Sequence, residues 1–405
     1  MVNILRVVDL GYNRKYMKAQ LDIVGIKNAI KGVISKQEGP VSLHEPFLGG
    51  NEWAYVKDCL DTNWVSYLGQ YVGKFESMLA DFTGVKKVAA VVNGTAALHI
   101  ALKLAGVEPG DEIIVPALTF VATTNAVTYC GARPHFVDSE ERTLGLDPYK
   151  LKDYLNNIAQ VNSDCCRNKF SGRRIKAVIP VHVFGHPVDL DPLVEVCQAY
   201  RIEMIEDAAE SLGSYYKGRH TGNWGKLSIL SFNGNKTITT GGGGAIITND
   251  EGLGKLALHL TSTAKITHRW EYRHDAIGYN YRLPNLNAAL GCAQMEQLPK
   301  FLEQKRHLAD RYQQAFQGLA GVRFFTEPSF ARSNYWLNAL LLEDAFAEQR
   351  DAVLEETNAS GIMTRPAWTL MNQLPMFRDC PAMDLGCAEN LSKRLINIPS
   401  SSFLG

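Results

Sequence analysis

The chain carries no excess of charge: 42 Lys and Arg stand against 42 Asp and Glu in 405 residues. That balance provides neither the basic footprint of a nucleic-acid binder nor a polybasic membrane patch. No apolar run approaches the ~18 residues of a membrane span. The start, MVNILRVVDLGYNRK, breaks its apolar residues with Arg6, Asp9 and Gly11, so it lacks the continuous core of a secretion signal. The eight cysteines form no C-x-x-C pair and show neither zinc nor iron–sulfur spacing. Adjacent Cys165 and Cys166 are poorly placed to bridge each other. Reduced thiols in a cytoplasmic protein without a metal are the expectation. There is no internal repeat, and no low-complexity segment beyond one run of four glycines.

What is present is an ordinary globular composition, 46% hydrophobic and 21% charged. At about 150 residues per domain the length suits two or three. Residues 1–40 read as a helical extension, with a helix over Tyr16 to Ser35 carrying Leu21, Ile23, Val24, Ile26 and Ile30 on its apolar positions. From Val88 the pattern alternates. Strands are expected at Val88–Val92, Glu112–Val115, Arg133–Val137, Ala177–Val183, Ile202–Glu206 and Leu227–Phe232, with helices after most of them. Near-continuous apolar strands between helices imply a parallel sheet covered on both faces. TITTGGGGAIITND reads as a glycine-rich hairpin between two strands. After residue 290 the texture changes: a long helix over Gln294–Gln317, bent or broken at Pro299, then the strands VRFFT and NYWLNALLL and a helix over Ala345–Ala359. The expected division is 1–40, a large α/β domain at 41–290, and a smaller α+β domain at 291–405.

Three local features converge. Asn93-Gly94-Thr95 follows a strand and opens a helix, where free amides and the helix dipole suit a phosphate. Capping of a buried helix explains the same residues. Asp207 sits just past a buried strand, at the carboxyl edge of the sheet, where open α/β sheets bind ligands; a loop cap is the alternative. Ser231 and Lys236 follow the next strand on that edge. Taken singly, such a lysine is a solvated charge. Together they match the needs of pyridoxal phosphate: an amine for its aldehyde, a carboxylate for its pyridine nitrogen and a cradle for its phosphate.

The runs NGTAALHIALKLAGVEPGDEIIVPALTFVATTNAV, VHVFGHPVDLD, IEDAAESLGSYYKG, SFNGNKTITTGGGGAIITND and GYNYRLPNLNAALG resemble the DegT/DnrJ/StrS family of sugar aminotransferases. The resemblance is dense over residues 41–310. It implies fold type I of the pyridoxal phosphate enzymes: a mostly parallel seven-stranded sheet, a smaller C-terminal α+β domain, and a homodimer with shared active sites. Lys236 then binds the cofactor aldehyde and afterwards moves the proton. Asp207 partners the pyridine nitrogen, and Glu210 lies near the ring hydroxyl. Phe120 lies near the ring face, with a plain core residue as the alternative. Gly94, Thr95, Ala96 and Ser231 hold the phosphate, and Asn280 contacts it from the second chain. Gly242 stands where many members carry Glu. A dehydratase offshoot replaces the lysine with His, and Lys236 disfavours that branch.

The segment VSLHEPFLGGNEWAYVKDCLDTNWVSYLGQYVGKFE is similar to LegC-like members. That similarity implies a UDP-linked 4-keto-6-deoxy-N-acetylhexosamine as substrate, L-glutamate as amino donor and pyridoxamine phosphate as the intermediate cofactor form. Trp64 and Tyr67 become candidate sugar-pocket residues, with buried packing as the alternative. His268 and Arg269, in KITHRWEYRHD, are candidates for the nucleotide pyrophosphate; a solvated loop explains them equally. His182 and His186 read as structural or pocket-lining. Two rivals stand: the same scaffold acting on another keto-sugar or a cyclitol, and a cofactor-binding regulator without turnover.

Overall fold

The computed structural model describes residues 20–35 and 39–405. Helices α1 (Ile23–Val33), α2 (Glu52–Asp61) and α3 (Gln70–Thr83) precede strand β1 (Lys87–Val91). There follow α4 (Gly94–Leu104), β2 (Glu112–Pro116), α5 (Val121–Tyr129), β3 (Arg133–Val137), α6 (Pro148–Ile158), β4 (Ile175–Val178), α7 (Leu190–Tyr200), β5 (Glu203–Asp207), β6 (Leu227–Ser231), β7 (Gly244–Thr248) and α8 (Glu251–Thr261). The seven strands form one sheet in the order β1-β7-β6-β5-β4-β2-β3. Only β7 runs antiparallel to its neighbours; every other adjacent pair is parallel.

Both faces of this sheet are covered, and β1 shows how. Ala89 and Val91 point into a core with Leu98 and Ile100 of α4. Val88 and Ala90 point into another core with Phe75 and Leu79 of α3. The period-two alternation of a strand thus feeds two hydrophobic layers rather than one layer and solvent. Val91, Val115 and Ile205 are fully buried, each contributing about 1.5–3 kcal/mol relative to exposure.

The chain continues through α9 (Asn285–Ala315), β8 (Val322–Phe324), β9 (Asn338–Leu342), α10 (Arg350–Ala359), β10 (Arg365–Pro366), α11 (Gly386–Arg394) and β11 (Leu395–Ile398). The last four strands make an antiparallel sheet in the order β8-β9-β11-β10. This is the mostly parallel sheet with a smaller C-terminal α+β lobe that the resemblance implied.

Some bounds shift: β4 ends at Val178 where Val183 was expected, and α10 begins at Arg350 where Ala345 was expected; three further details differ. The threonines of TITT form no strand. Thr240 N–H donates to Phe232 O (3.0 Å) and Thr239 N–H to Gln294 Oε1 (3.4 Å), so the segment wraps as a loop before β7. Helix α9 starts nine residues before Gln294 and continues through Pro299 as one element; its packing on α2 and α3 outweighs the one backbone bond that proline removes. α1 is shorter than the expected helix, and the part before residue 20 lies outside the described residues. Asp22 caps it by accepting from Gly25 N–H (2.8 Å). Ile26, Ile30 and Val33 of α1 pack with Leu308 and Tyr312 of α9 in the core of the small lobe.

Candidate active site

The carboxyl ends of β1, β2, β5 and β6 open on one cavity of about 340 Å³. Gly94, Thr95, Phe120, Asp207, Glu210, Ser231 and Lys236 line it, and Trp336 and Trp368 close it from the small lobe.

One end of the cavity is the start of α4. Asn93 is its N-cap: its Oδ1 accepts from Ala96 N–H (2.8 Å) and its carbonyl from Ala97 N–H (3.1 Å). Gly94 and Thr95 open the helix, where amides have no carbonyl four residues back to bond. Ser231, at the end of β6, stands beside them: a Cβ on Gly94 would lie 3.0 Å from Ser231 Cβ. Two amides, a dipole end and a hydroxyl make an anion site. Ala96, expected among the phosphate contacts, has its amide taken by the Asn93 cap.

At the other end Asp207 is buried. Its Oδ2 accepts from Thr123 Oγ1 (2.7 Å) and its Oδ1 from Ala209 N–H (3.2 Å). Burial raises its pKa, against the pull of these bonds and of Lys236. A cationic ring nitrogen would offset that burial cost. Glu210 is also buried and also raised by desolvation. It accepts from Phe184 N–H (2.9 Å) and from Lys236 Nζ (3.2 Å). Phe184 sits at φ 56, in the left-handed region, a local strain of order 1–3 kcal/mol for a residue with a side chain. The turn holds because Ser214 Oγ (2.7 Å) and Ser333 Oγ (2.9 Å) both donate to Gly185 O.

Phe120 is half exposed, with its ring 6.3 Å from that of Trp368. It faces the cavity rather than the core. Behind the site, His182 accepts from Val188 N–H at Nδ1 (3.2 Å), so its Nε2–H meets Glu206 Oε2 (3.1 Å). Burial pushes Glu206 up, but His182 and the amides of Gly222 and Gly225 outweigh it and hold the carboxyl below its usual range. His186 is fully buried between Phe325 and Tyr335, and burial brings it down to about 3. Among the described residues no group of three His, Cys, Asp or Glu is placed to hold a metal.

Within one chain several expected residues lie apart from the cavity. Trp64 is exposed and its carbonyl accepts from Asn285 Nδ2 (2.6 Å). Tyr67 is partly buried in the same loop. His268 and Arg269 lie between the short strands Lys265–Ile266 and Arg273–His274. Arg269 stacks on Trp270 (4.8 Å), and His268 Nδ1 accepts from Glu271 N–H (2.9 Å). Asn280 is exposed and bridges Ser262. In the other direction, sequence reasoning missed Thr123, Asn334, Trp336 and Trp368. The last three come from the small lobe; Asn334 and Trp336 lay inside the expected strand NYWLNALLL, which in the structure begins only at Asn338.

The donor set fits pyridoxal phosphate: an anion cradle, a buried carboxylate and an amine between them. Residues 46–405 match the model of the DegT/DnrJ/EryC1/StrS aminotransferase family. The chain is 38% identical over 360 residues to the GDP-perosamine synthase of Escherichia coli O157:H7, covering 89% of this chain and 93% of that protein. Its fold is similar to that of the aminotransferase TlmJ of Streptoalloteichus hindustanus, with TM-score 0.81, 27% identity, and 91% and 95% of the two chains covered. It is also similar to a Streptococcus pneumoniae protein described as a sugar aminotransferase and solved in its pyridoxal phosphate form. There the TM-score is 0.79, the identity 25%, and the coverage 89% and 93%. The chain belongs to the DegT/DnrJ/EryC1/StrS aminotransferase family. It is a fold type I aminotransferase, and its cofactor is pyridoxal phosphate.

Proposed function

We propose that the protein moves an amino group from L-glutamate to the keto carbon of a nucleotide-linked 4-keto-6-deoxyhexose, for surface-polysaccharide or related amino-sugar synthesis. The observation that carries the site is Lys236, with its amine 3.2 Å from Glu210 in one cavity with Asp207 and the start of α4. When bound, pyridoxal phosphate supplies the aldehyde for the donor's nitrogen and an electron sink for the reacting carbon. The start of α4 and Ser231 bind the anionic end. Asp207 holds the ring nitrogen in its charged form. Lys236 takes a proton from one carbon and returns it to the next. Phe120 and Trp368, on the cavity wall, would shield the bound group from water.

The similarity to a GDP-perosamine synthase supports a sugar acceptor aminated at C4, perosamine being a 4-amino-4,6-dideoxyhexose. It supports GDP as the carrier, whereas the segment around Trp64 supports UDP and an N-acetyl group. The shared feature is the 4-keto-6-deoxy sugar. A second copy of the chain would bring Asn280, His268 and Arg269 to the cavity. Their distance from their own site supports that arrangement, as do Trp270, Tyr272 and Ile277, each at least 70% exposed. Eight free cysteines support a reducing, cytoplasmic setting.

The purified protein should be yellow, and Lys236→Ala should lose the lysine-bound visible band and at least ~10²-fold of the rate. Glutamate consumption is then compared with UDP-4-keto-6-deoxy-N-acetylhexosamine and with GDP-4-keto-6-deoxyhexose as acceptors. A cofactor-loaded protein that converts neither, nor a keto-cyclitol, would sink the enzymatic reading and favour the regulator.

A further inference from the structure

We infer that Trp336 is a further residue of the aminotransfer site: its indole face holds the amine of Lys236 while that amine is free. The inference rests on Lys236 being the cofactor lysine.

Lys236 Nζ lies 3.8 Å from the centroid of the Trp336 ring. The indole N–H donates to Asn235 O (2.7 Å), one residue before the lysine. The ring is therefore tied to the backbone beside the lysine. The main chain of Trp336 is fixed on both sides. Its N–H donates to Asn334 Oδ1 (2.8 Å), and its carbonyl accepts from the buried Lys305 Nζ (3.2 Å). Asn334 reaches back to the segment that carries Glu210, donating from Nδ2 to Glu210 O and Leu212 O at 2.9 Å each. The two partners of the Lys236 amine, a carboxylate and an aromatic face, thus belong to one hydrogen-bonded unit.

The two partners do different chemistry. A lysine freed from the cofactor has a long flexible stem and loses reach if it swings away. Glu210 attracts it, but a carboxylate is also a base and competes for the proton that Lys236 must carry. An aromatic face attracts the cationic form and accepts no proton. Trp336 would hold the amine inside the cavity without taking part in the proton transfer. The other charged or titratable groups around the amine are Asp207 across the cavity and, behind Trp336, His44 and Lys305.

The test uses protein loaded with pyridoxamine phosphate, in which the Lys236 amine is free, and follows the pH dependence of the rate at which 2-oxoglutarate brings back the visible band. In Trp336→Leu the midpoint should move to lower pH by about 0.5–1 unit, because the cation loses its aromatic partner. Trp336→Phe keeps a weaker face and should show a smaller shift in the same direction. Mixed rapidly with glutamate, Trp336→Leu should lose its visible band about tenfold more slowly, at little change in glutamate KM. Midpoints equal to wild type in both variants, with cofactor bound, overturn the inference and leave Trp336 a packing residue. If the leucine variant does not fold, the phenylalanine variant decides alone. Lys236→Ala separates the two readings: a visible band that persists there refutes the assignment of Lys236, whatever Trp336 does.

Discussion

Lys305 is fully buried. Its three hydrogen bonds go to neutral acceptors: Ser400 O (2.6 Å), His44 Nε2 (2.9 Å) and Trp336 O (3.2 Å). A buried cation without a counter-charge is costly, and desolvation brings its pKa down to about 7. His44, half-buried and beside it, is held well below its usual value by desolvation and by Lys305, so its nitrogen is free to accept. The linkage has a definite sign. Between about pH 7 and the unfolded value near 10.4, the unfolded chain binds a proton that the folded one does not. Stability therefore rises with pH across that window, by up to roughly 5 kcal/mol. Below pH 7 both states are protonated and the cost is constant. Lys305→Met should remove this slope. Urea midpoints of loaded protein at pH 7 and pH 9 check it: wild type gains stability relative to the variant as pH rises. Equal slopes would mean that Lys305 does not titrate in this window. Lys305 drew no attention in the sequence, where it reads as one more charge on an amphipathic helix. Its burial depends on His44, Trp336 and Ser400, none of which is near it along the chain.

Among the elements, the start of α4 depends most on a neighbouring strand. A Cβ on Gly244, the first residue of β7, would meet the Asn93 carbonyl carbon at 2.5 Å and the Gly94 nitrogen at 2.6 Å. Both are backbone atoms, so the loop itself would have to move. Gly242, two residues earlier, would meet only Val92 O at 3.9 Å. Gly244→Ala should therefore weaken cofactor binding tenfold or more, about 1.4 kcal/mol or above. Gly242→Ala should bind as wild type does. Titration of the apoprotein with pyridoxal phosphate, with circular dichroism as the folding control, checks both. Comparable affinity for the two variants would show that the cradle tolerates displacement. The four-glycine run was legible as a turn, and its departure from a Glu-containing pattern at Gly242 was visible. Which glycine the site requires was not legible, because the clash is between β7 and the loop after β1, over 140 residues earlier. At Asn93 the two readings left open from sequence hold together: the residue caps α4, and the capped helix presents its first amides to the cavity. The strands that carry Asp207 and Ser231 were legible from the apolar Ile202, Met204 and Ile205 and from Leu227, Ile229 and Leu230, set between turns and helices. TITT was misread as a strand because threonine favours strands and also makes the side-chain bonds of a tight loop.

For the whole molecule, α1 is part of a lobe and not an ornament on it. The apolar positions of α1 were visible, but nothing in residues 1–40 says what they cover. Their partners are Leu308 and Tyr312 of α9, Leu340 of β9 and Val353 of α10, all close to 300 residues away. Contacts this distant leave no periodic trace in the sequence. The small lobe in turn supplies Trp336 and Trp368 to the cavity, so packing at α1 and closure of the site are mechanically one problem. Ile30 is fully buried in that cluster, whereas Val24 on the same helix is 55% exposed. Truncating Ile30 to Ala removes buried methyl groups and leaves a cavity, at a cost of about 2–5 kcal/mol. Val24→Ala should stay within about 0.5 kcal/mol of wild type. Denaturant unfolding followed by tryptophan fluorescence measures both. If the lobes unfold together, Ile30→Ala lowers a single midpoint and the visible cofactor band disappears with it. If the small lobe opens first, the band is lost at lower denaturant than the large sheet, because Trp336 and Trp368 leave the cavity before the strands separate. A variant as stable as wild type would show that α1 rests on the lobe without supporting it.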